Sequence, residues 1–175
     1  QIREIKKRMV AVGTIQRITK TMQMIATAKF TAAVQRTNAT KPYTKTIGEL
    51  VSEVASAAGD ADHPLLTART EKVGRELLLV ISSDRGLCGA YNANVLRNAI
   101  RHYRSNREAG LETAVEASGK KGLGFFKFQG VKLSATHMVG DKPSYEDVER
   151  IATSYIERFS AGEFDAVRVA YMRYE

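Results

Sequence analysis

The chain holds 175 residues, the length of one domain or of one domain with an extension, and 43% hydrophobic with 26% charged residues is the composition of a chain that folds around a core. A single cysteine, Cys88, excludes an internal disulfide framework and a cysteine-clustered zinc site, and three scattered histidines (His63, His102, His137) have no metal-ligand spacing. The net charge of +8 is confined to one end: residues 1–45 carry ten basic residues against one acid, Glu4, a net +9, while residues 46–175 carry 17 basic and 18 acidic residues.

Residues 1–58 contain one proline, Pro42, and two glycines, Gly13 and Gly48. Apolar residues recur at Ile2, Ile5, Met9, Val12, Ile15, Ile18, Met22 and Ile25, in steps of three and four with one extra step of three. That is a long helix with a narrow apolar seam, suited to pairing with another helix rather than lying on a sheet. Ala26, Ala28, Ala32 and Ala33 then allow close approach of a neighbour. Pro42 is expected to kink or break the helix, which resumes through Ile47–Ala58. Residues 59–72, with the Gly59–Pro64 turn cluster, read as a linker.

From residue 73 the texture changes. Glu76–Ser82 (ELLLVIS) is the nearly all-apolar run of a central strand buried on both faces. Its aliphatic part, Leu77–Ile81, is five residues and far too short to cross a bilayer. A helix is expected from about Asn92 to Arg107, a strand near Thr113–Ala117, a short helix within Gly119–Gly130, and a third strand at Val131–Met138. Ser144 caps a helix with Glu146, Asp147 and Glu149 in its first turn, Gly162 ends it, and Ala166–Met172 forms the last strand. Strand–helix alternation of this kind predicts an α/β fold, a mostly parallel sheet with helices on both faces over 73–175. The chain begins without methionine and stops at or just past its last strand, so both ends read as limits within a longer chain, and the seam of the first helix lacks a partner.

The strand–turn–helix Ser83-Asp-Arg-Gly-Leu-Cys-Gly-Ala-Tyr-Asn92 has glycines where α/β folds bind phosphate, yet it offers only Gly86-x-x-Gly89 instead of G-x-G-x-x-G. No P-loop is present: Gly119-Lys120 is followed by Lys121, and Ala114 stands where the first glycine belongs. The Gly119–Gly124 cluster reads as a loose strand-to-helix connection. Asp84 and Arg85 read as an exposed ion pair at the turn, and Cys88 as a small buried residue. No catalytic, cofactor or metal site assembles. The basic helix admits three readings: a coiled-coil arm meeting an acidic protein, a nucleic-acid-binding arm, and a transit peptide. No aromatic stands among its basic residues before Phe30 and no serine precedes Ser52, which favours the first. A small Rossmann-type enzyme is the remaining alternative for the second half.

Two blocks, Arg17-Ile-Thr-Lys-Thr-Met-Gln-Met-Ile-Ala-Thr-Ala-Lys-Phe30 and Ser83–Asn92, resemble the signature segments of the gamma subunit of F-type ATP synthases, and Pro143–Val148 and the last strand have counterparts there. The resemblance covers essentially the whole chain. It implies a long coiled-coil helix plus a Rossmann-like domain that binds no dinucleotide, in a non-catalytic central-stalk rotor that couples proton flow to ATP synthesis. The implied partners are the alpha and beta subunits of the catalytic ring, the epsilon subunit, the c-subunit membrane ring, and a C-terminal helix of its own that is missing here. No cofactor, nucleic acid or small-molecule ligand is implied. Arg17, Lys20, Met22 and Lys29 match the region facing the acidic loops of the beta subunits, and Arg85 lies in the second block. The implied location is peripheral, on the cytoplasmic face of a bacterial cell membrane, since a lone cysteine does not fit the thiol-regulated chloroplast form.

Overall fold

A computed structural model describes residues 1–57, 63–65, 72–140 and 142–174, divided into two units, Gln1–Ala61 and Asp62–Glu175. Of the expected linker 59–72, only 63–65 and 72 are among the described residues, and the expected boundary after Ala58 lies outside them.

The first unit is built on one helix, α1, Ile2–Ala57. Its 56 residues make it about 84 Å long at 1.5 Å per residue. The expected break at Pro42 does not occur, because the helix continues across it. Proline removes one helical donor and crowds the carbonyl of Asn38, a local cost of about 3 kcal/mol. Long helical segments on both sides already carry the nucleation cost, so propagation passes over a single defect. Threonine hydroxyls bond back to carbonyls around it, Thr40 to Arg36 at 3.2 Å and Thr44 to Thr40 at 3.1 Å. No residue of α1 is buried, and the seam residues from Ile2 to Ile25 are all exposed.

The second unit runs β1 (Arg75–Ile81), α2 (Tyr91–Glu108), β2 (Glu112–Ser118), α3 (Lys120–Phe128), β3 (Leu133–His137), α4 (Tyr145–Ser160) and β4 (Ala166–Ala170). The strands form one sheet in the order β3-β2-β1-β4, parallel throughout, so the expected Rossmann-like α/β fold is what forms. Parallel neighbours need crossovers, and helices supply them. Leu78 and Val80 of β1 and Val115 and Ala117 of β2 pack with Val95, Leu96, Ala99 and Ile100 of α2 and Phe126 of α3. On the opposite side lie the fully buried Leu77, Glu116 and Phe164. The cap of α4 forms as expected, with the Ser144 hydroxyl accepting from the Asp147 amide at 3.1 Å.

α4 is held differently from α2. None of its residues is buried, and Val148 and Ile156 remain about half exposed. Its attachments are polar: Tyr155 and Arg158 both reach the Glu116 carboxylate in β2.

Candidate functional site

Arg17, Lys20, Met22 and Lys29 all lie on α1, but they do not form one patch. At 3.6 residues per turn each residue advances about 100°, so Arg17 and Lys20 stand about 60° apart on one side. Met22 and Lys29, seven residues apart, are within about 20° of each other on the opposite side. Ile15, Ile18 and Ile25 share that second side, so Met22 and Lys29 belong to the apolar seam and Arg17 and Lys20 oppose it. A helix paired along the seam would cover the second pair and leave the first facing outward. Spacing alone conceals this, because four residues in one motif look like one surface.

Arg85 belongs to the connection between β1 and α2, which is closely bonded. The Asn92 amide nitrogen donates to the Ser83 hydroxyl at 2.8 Å, and the Asn92 carbonyl oxygen accepts from the Ser83 backbone N–H at 3.0 Å. The Ser83 hydroxyl in turn donates to the Arg85 carbonyl at 2.6 Å. Leu87, at the tip, has φ of 60° and is 93% exposed. Cys88 is exposed rather than buried, its sulfur 3.0 Å from the Asn92 amide nitrogen. The tip turns outward where a left-handed residue reverses the chain, so the position between two glycines does not enclose the thiol.

The two glycine clusters form one structure. The first three amides of α3 are all used by the end of β1: Lys120 N–H donates to the Asp84 carboxylate at 2.9 Å, Lys121 N–H to the Ser83 carbonyl at 3.1 Å, and Gly122 N–H to the Ser82 hydroxyl at 2.8 Å. Those amides are the donors a phosphate would need. Asp84 thus serves as a cap on a neighbouring helix, and its carboxylate puts negative charge where an anion would bind. The expected loose connection at Gly119 is in fact tight. Gly119 has φ of 94°, and a Cβ there would run into the Ser82 carbonyl. The remaining cleft, lined by Ser82, Asp84, Arg85, Ser118 and Gly119, encloses about 130 Å³, small beside the roughly 300–1,000 Å³ of ligand pockets.

Sequence reasoning missed two buried carboxylates, one on each face of the sheet. Glu116 is bonded to His137 of β3 at 2.7 Å, Tyr155 at 2.7 Å and Arg158 at 3.0 Å, and Arg158 also lies 4.6 Å over the Phe164 ring. Glu76 is bonded to His102 at 2.6 Å, Asn106 at 3.1 Å and Arg168 at 2.6 Å. Burial pushes both carboxyls up, but their hydrogen bonds outweigh it, those from His137, Tyr155 and Arg158 for Glu116 and those from His102 and Arg168 for Glu76. Both are held below the ordinary carboxylate range. Burial and Glu116 together push the Tyr155 phenol well above its usual range. These groups fasten α2, β3, β4 and α4 to the central strands. Their signal in the sequence was a glutamate next to apolar residues in each strand, Glu76 before Leu77 in β1 and Glu116 between Val115 and Ala117 in β2.

The family model for ATP synthase matches residues 1–175. The chain is 40% identical over 173 residues to the ATP synthase gamma chain of Rhodopirellula baltica, covering 98% of this chain and 58% of that one. It is 41% identical over 165 residues to the ATP synthase gamma chain of Mycolicibacterium vanbaalenii, covering 94% of this chain and 53% of the relative. It is 36% identical over 174 residues to that of Mannheimia succiniciproducens, 98% against 59%. The chain therefore spans rather more than half the length of the curated relatives it matches.

Proposed function

Because the chain belongs to the gamma-chain family of ATP synthase, we propose that it acts as the non-catalytic central-stalk rotor, coupling ion flow through a membrane ring to ATP synthesis in surrounding beta subunits. The observation that carries this reading is α1: a 56-residue helix with a continuous exposed apolar seam and the whole excess of positive charge on its first 45 residues. A shaft needs all three. Length lets it reach from one part of an assembly to another. The seam lets it pair with a second helix, here a C-terminal helix of the same subunit. The charge lets it meet carboxylates on alpha and beta subunits through contacts that exchange as it turns.

In this reading the work is mechanical. An asymmetric shaft favours different conformations of each beta subunit in turn, and coupling resides in differential contact with those states. Arg17 and Lys20 face the catalytic ring, Met22 and Lys29 sit at the helix pair, and Arg85 with the exposed loop around Leu87 offers a second contact. The Rossmann-like unit serves as a scaffold beside the epsilon subunit and the c ring, with protons as the coupling ion and a peripheral position on the cytoplasmic face of a bacterial membrane. Occupation of the α3 amides by Ser82, Ser83 and Asp84 supports a role without nucleotide. No described helix is long and apolar enough to cross a membrane. The test is reconstitution of full-length subunit with alpha, beta and membrane-sector subunits in vesicles. ATP-driven acidification that requires this chain supports the proposal; equal acidification without it ends the proposal.

A further inference from the structure

We propose that the outer face of α2 is a docking groove for an acidic protein segment, recognised by a row of arginines. This rests on the rotor reading only in that the assembled complex is the place to look for the partner. Arg97, Arg101 and Arg104 stand one above another at steps of four and three, and with Ile100, Ser105 and Glu108 they line a groove of about 520 Å³.

Among the described residues, three arginines stand together on this face without a carboxylate partner. Four other arginines of the second unit are matched to carboxylates: Arg75 to Glu112, Arg150 to Asp147, Arg158 to Glu116 and Glu163, and Arg168 to Glu76. Among the described residues, Arg97 and Arg101 have no carboxylate partner. Arg104 donates to the neutral side-chain oxygen of Gln129 at 2.9 Å, which steadies it without cancelling its charge. Ile100 supplies a nearly buried apolar floor between the guanidinium groups.

The occupant follows from this chemistry. Guanidinium groups pair with carboxylates in planar, bidentate geometry. On α2 the arginines are spaced by about 6 and 4.5 Å along the axis, or about 10 Å from first to last. Carboxylates on one face of a helix, or at alternate positions of an extended segment, repeat at nearly that interval. The groove is shallow, and Ile100 is the one apolar residue among its charged and polar lining, which suits a protein segment carrying one apolar residue among its acids. Glu108, at the C-terminal end of the row, favours a segment whose charge changes sign there.

The test places a photoreactive benzophenone side chain at Ser105 of the full-length chain in cells. The complex is then isolated through a tag on that chain, and cross-linked peptides are sequenced. The account expects one dominant product from a segment with at least two carboxylates three or four residues apart in a helix, or two apart in a strand. Its yield should fall at least fivefold in Arg97→Glu/Arg101→Glu and recover when those carboxylates are changed to lysine. Arg150→Glu, on a different helix, should leave the yield unchanged. A product lacking clustered acids, a lipid adduct, no product, or a yield indifferent to the charge reversal would overturn the proposal. Co-purification of alpha and beta subunits is scored separately, so failure of the rotor reading is visible by itself.

Discussion

At Glu116, donors from β3 and α4 converge on a carboxylate whose side chain is 2% exposed. Removing one partner of a buried pair costs about 3–5 kcal/mol. Arg158 keeps Glu163 as a second partner at 2.9 Å, so Glu116→Gln should cost near the lower end, about 3 kcal/mol, read as a lower urea midpoint at unchanged slope. The same variant bears on pH. A carboxyl held below its ordinary value of 4.5 contributes stability that is complete above that value and is lost as pH falls through the lowered one. Urea midpoints of the parent chain should therefore decline on acidification below about 4.5, and Glu116→Gln should show a shallower decline, with Glu76 and Asp165, also held low by the backbone N–H groups of Val73, Gly74 and Arg75, supplying what remains. Glu116 within β2 is the only local hint of this network, because its partners His137, Tyr155 and Arg158 are 21, 39 and 42 positions away. Gly119 is a similar case. The sequence shows a glycine, while the structure shows left-handed backbone packed on the Ser82 carbonyl. Gly119→Ala should cost about 3 kcal/mol from strain and overpacking together, measured by the same denaturation.

At the scale of elements, the strands and helices of the second unit were legible to within one or two residues, since each carries its own local signal. β1 is an apolar run, α4 has Ser144 and Asp147 at its start, and Gly162 with φ of 83° follows its end. The break allowed for at Pro42 does not form in α1, where a long helix tolerates one missing bond. Pro42→Ala should restore that bond and relieve the crowded carbonyl, a gain of up to about 3 kcal/mol for the helix around it. Slower amide hydrogen exchange over residues 38–46 of the full-length chain is the expected outcome; unchanged exchange would mean that the flanking turns already absorb the defect. α4 illustrates the opposite limit. Its cap and end signals predicted a helix, and it forms, yet Val148 and Ile156 are left about half exposed and polar anchors hold it.

At the scale of the molecule, charge asymmetry and the apolar seam were visible in the sequence, but the division of one motif between two faces of α1 needed the helix. That division makes the account specific. Arg17 and Lys20 should act on contacts outside the helix pair, and each exposed pair is worth only about 0–1 kcal/mol, so single substitutions should show little. Replacing Arg17 and Lys20 together with glutamine should weaken docking to the ring while the second unit stays folded. Met22→Lys acts on the other face, 48% exposed in this chain, and sets a cation beside Lys29 on the seam. It should disturb the helix pair or hold a contact with a neighbouring carboxylate too long, and either raises the barrier to the next rotational step. The most direct measurement of the shaft proposal is protons pumped per ATP hydrolysed in vesicles reconstituted with full-length subunit. The account predicts a lower ratio in both the double glutamine variant and Met22→Lys with the complex still assembled. An unchanged ratio in both would contradict it, and would leave α1 a solvated basic surface with no part in coupling.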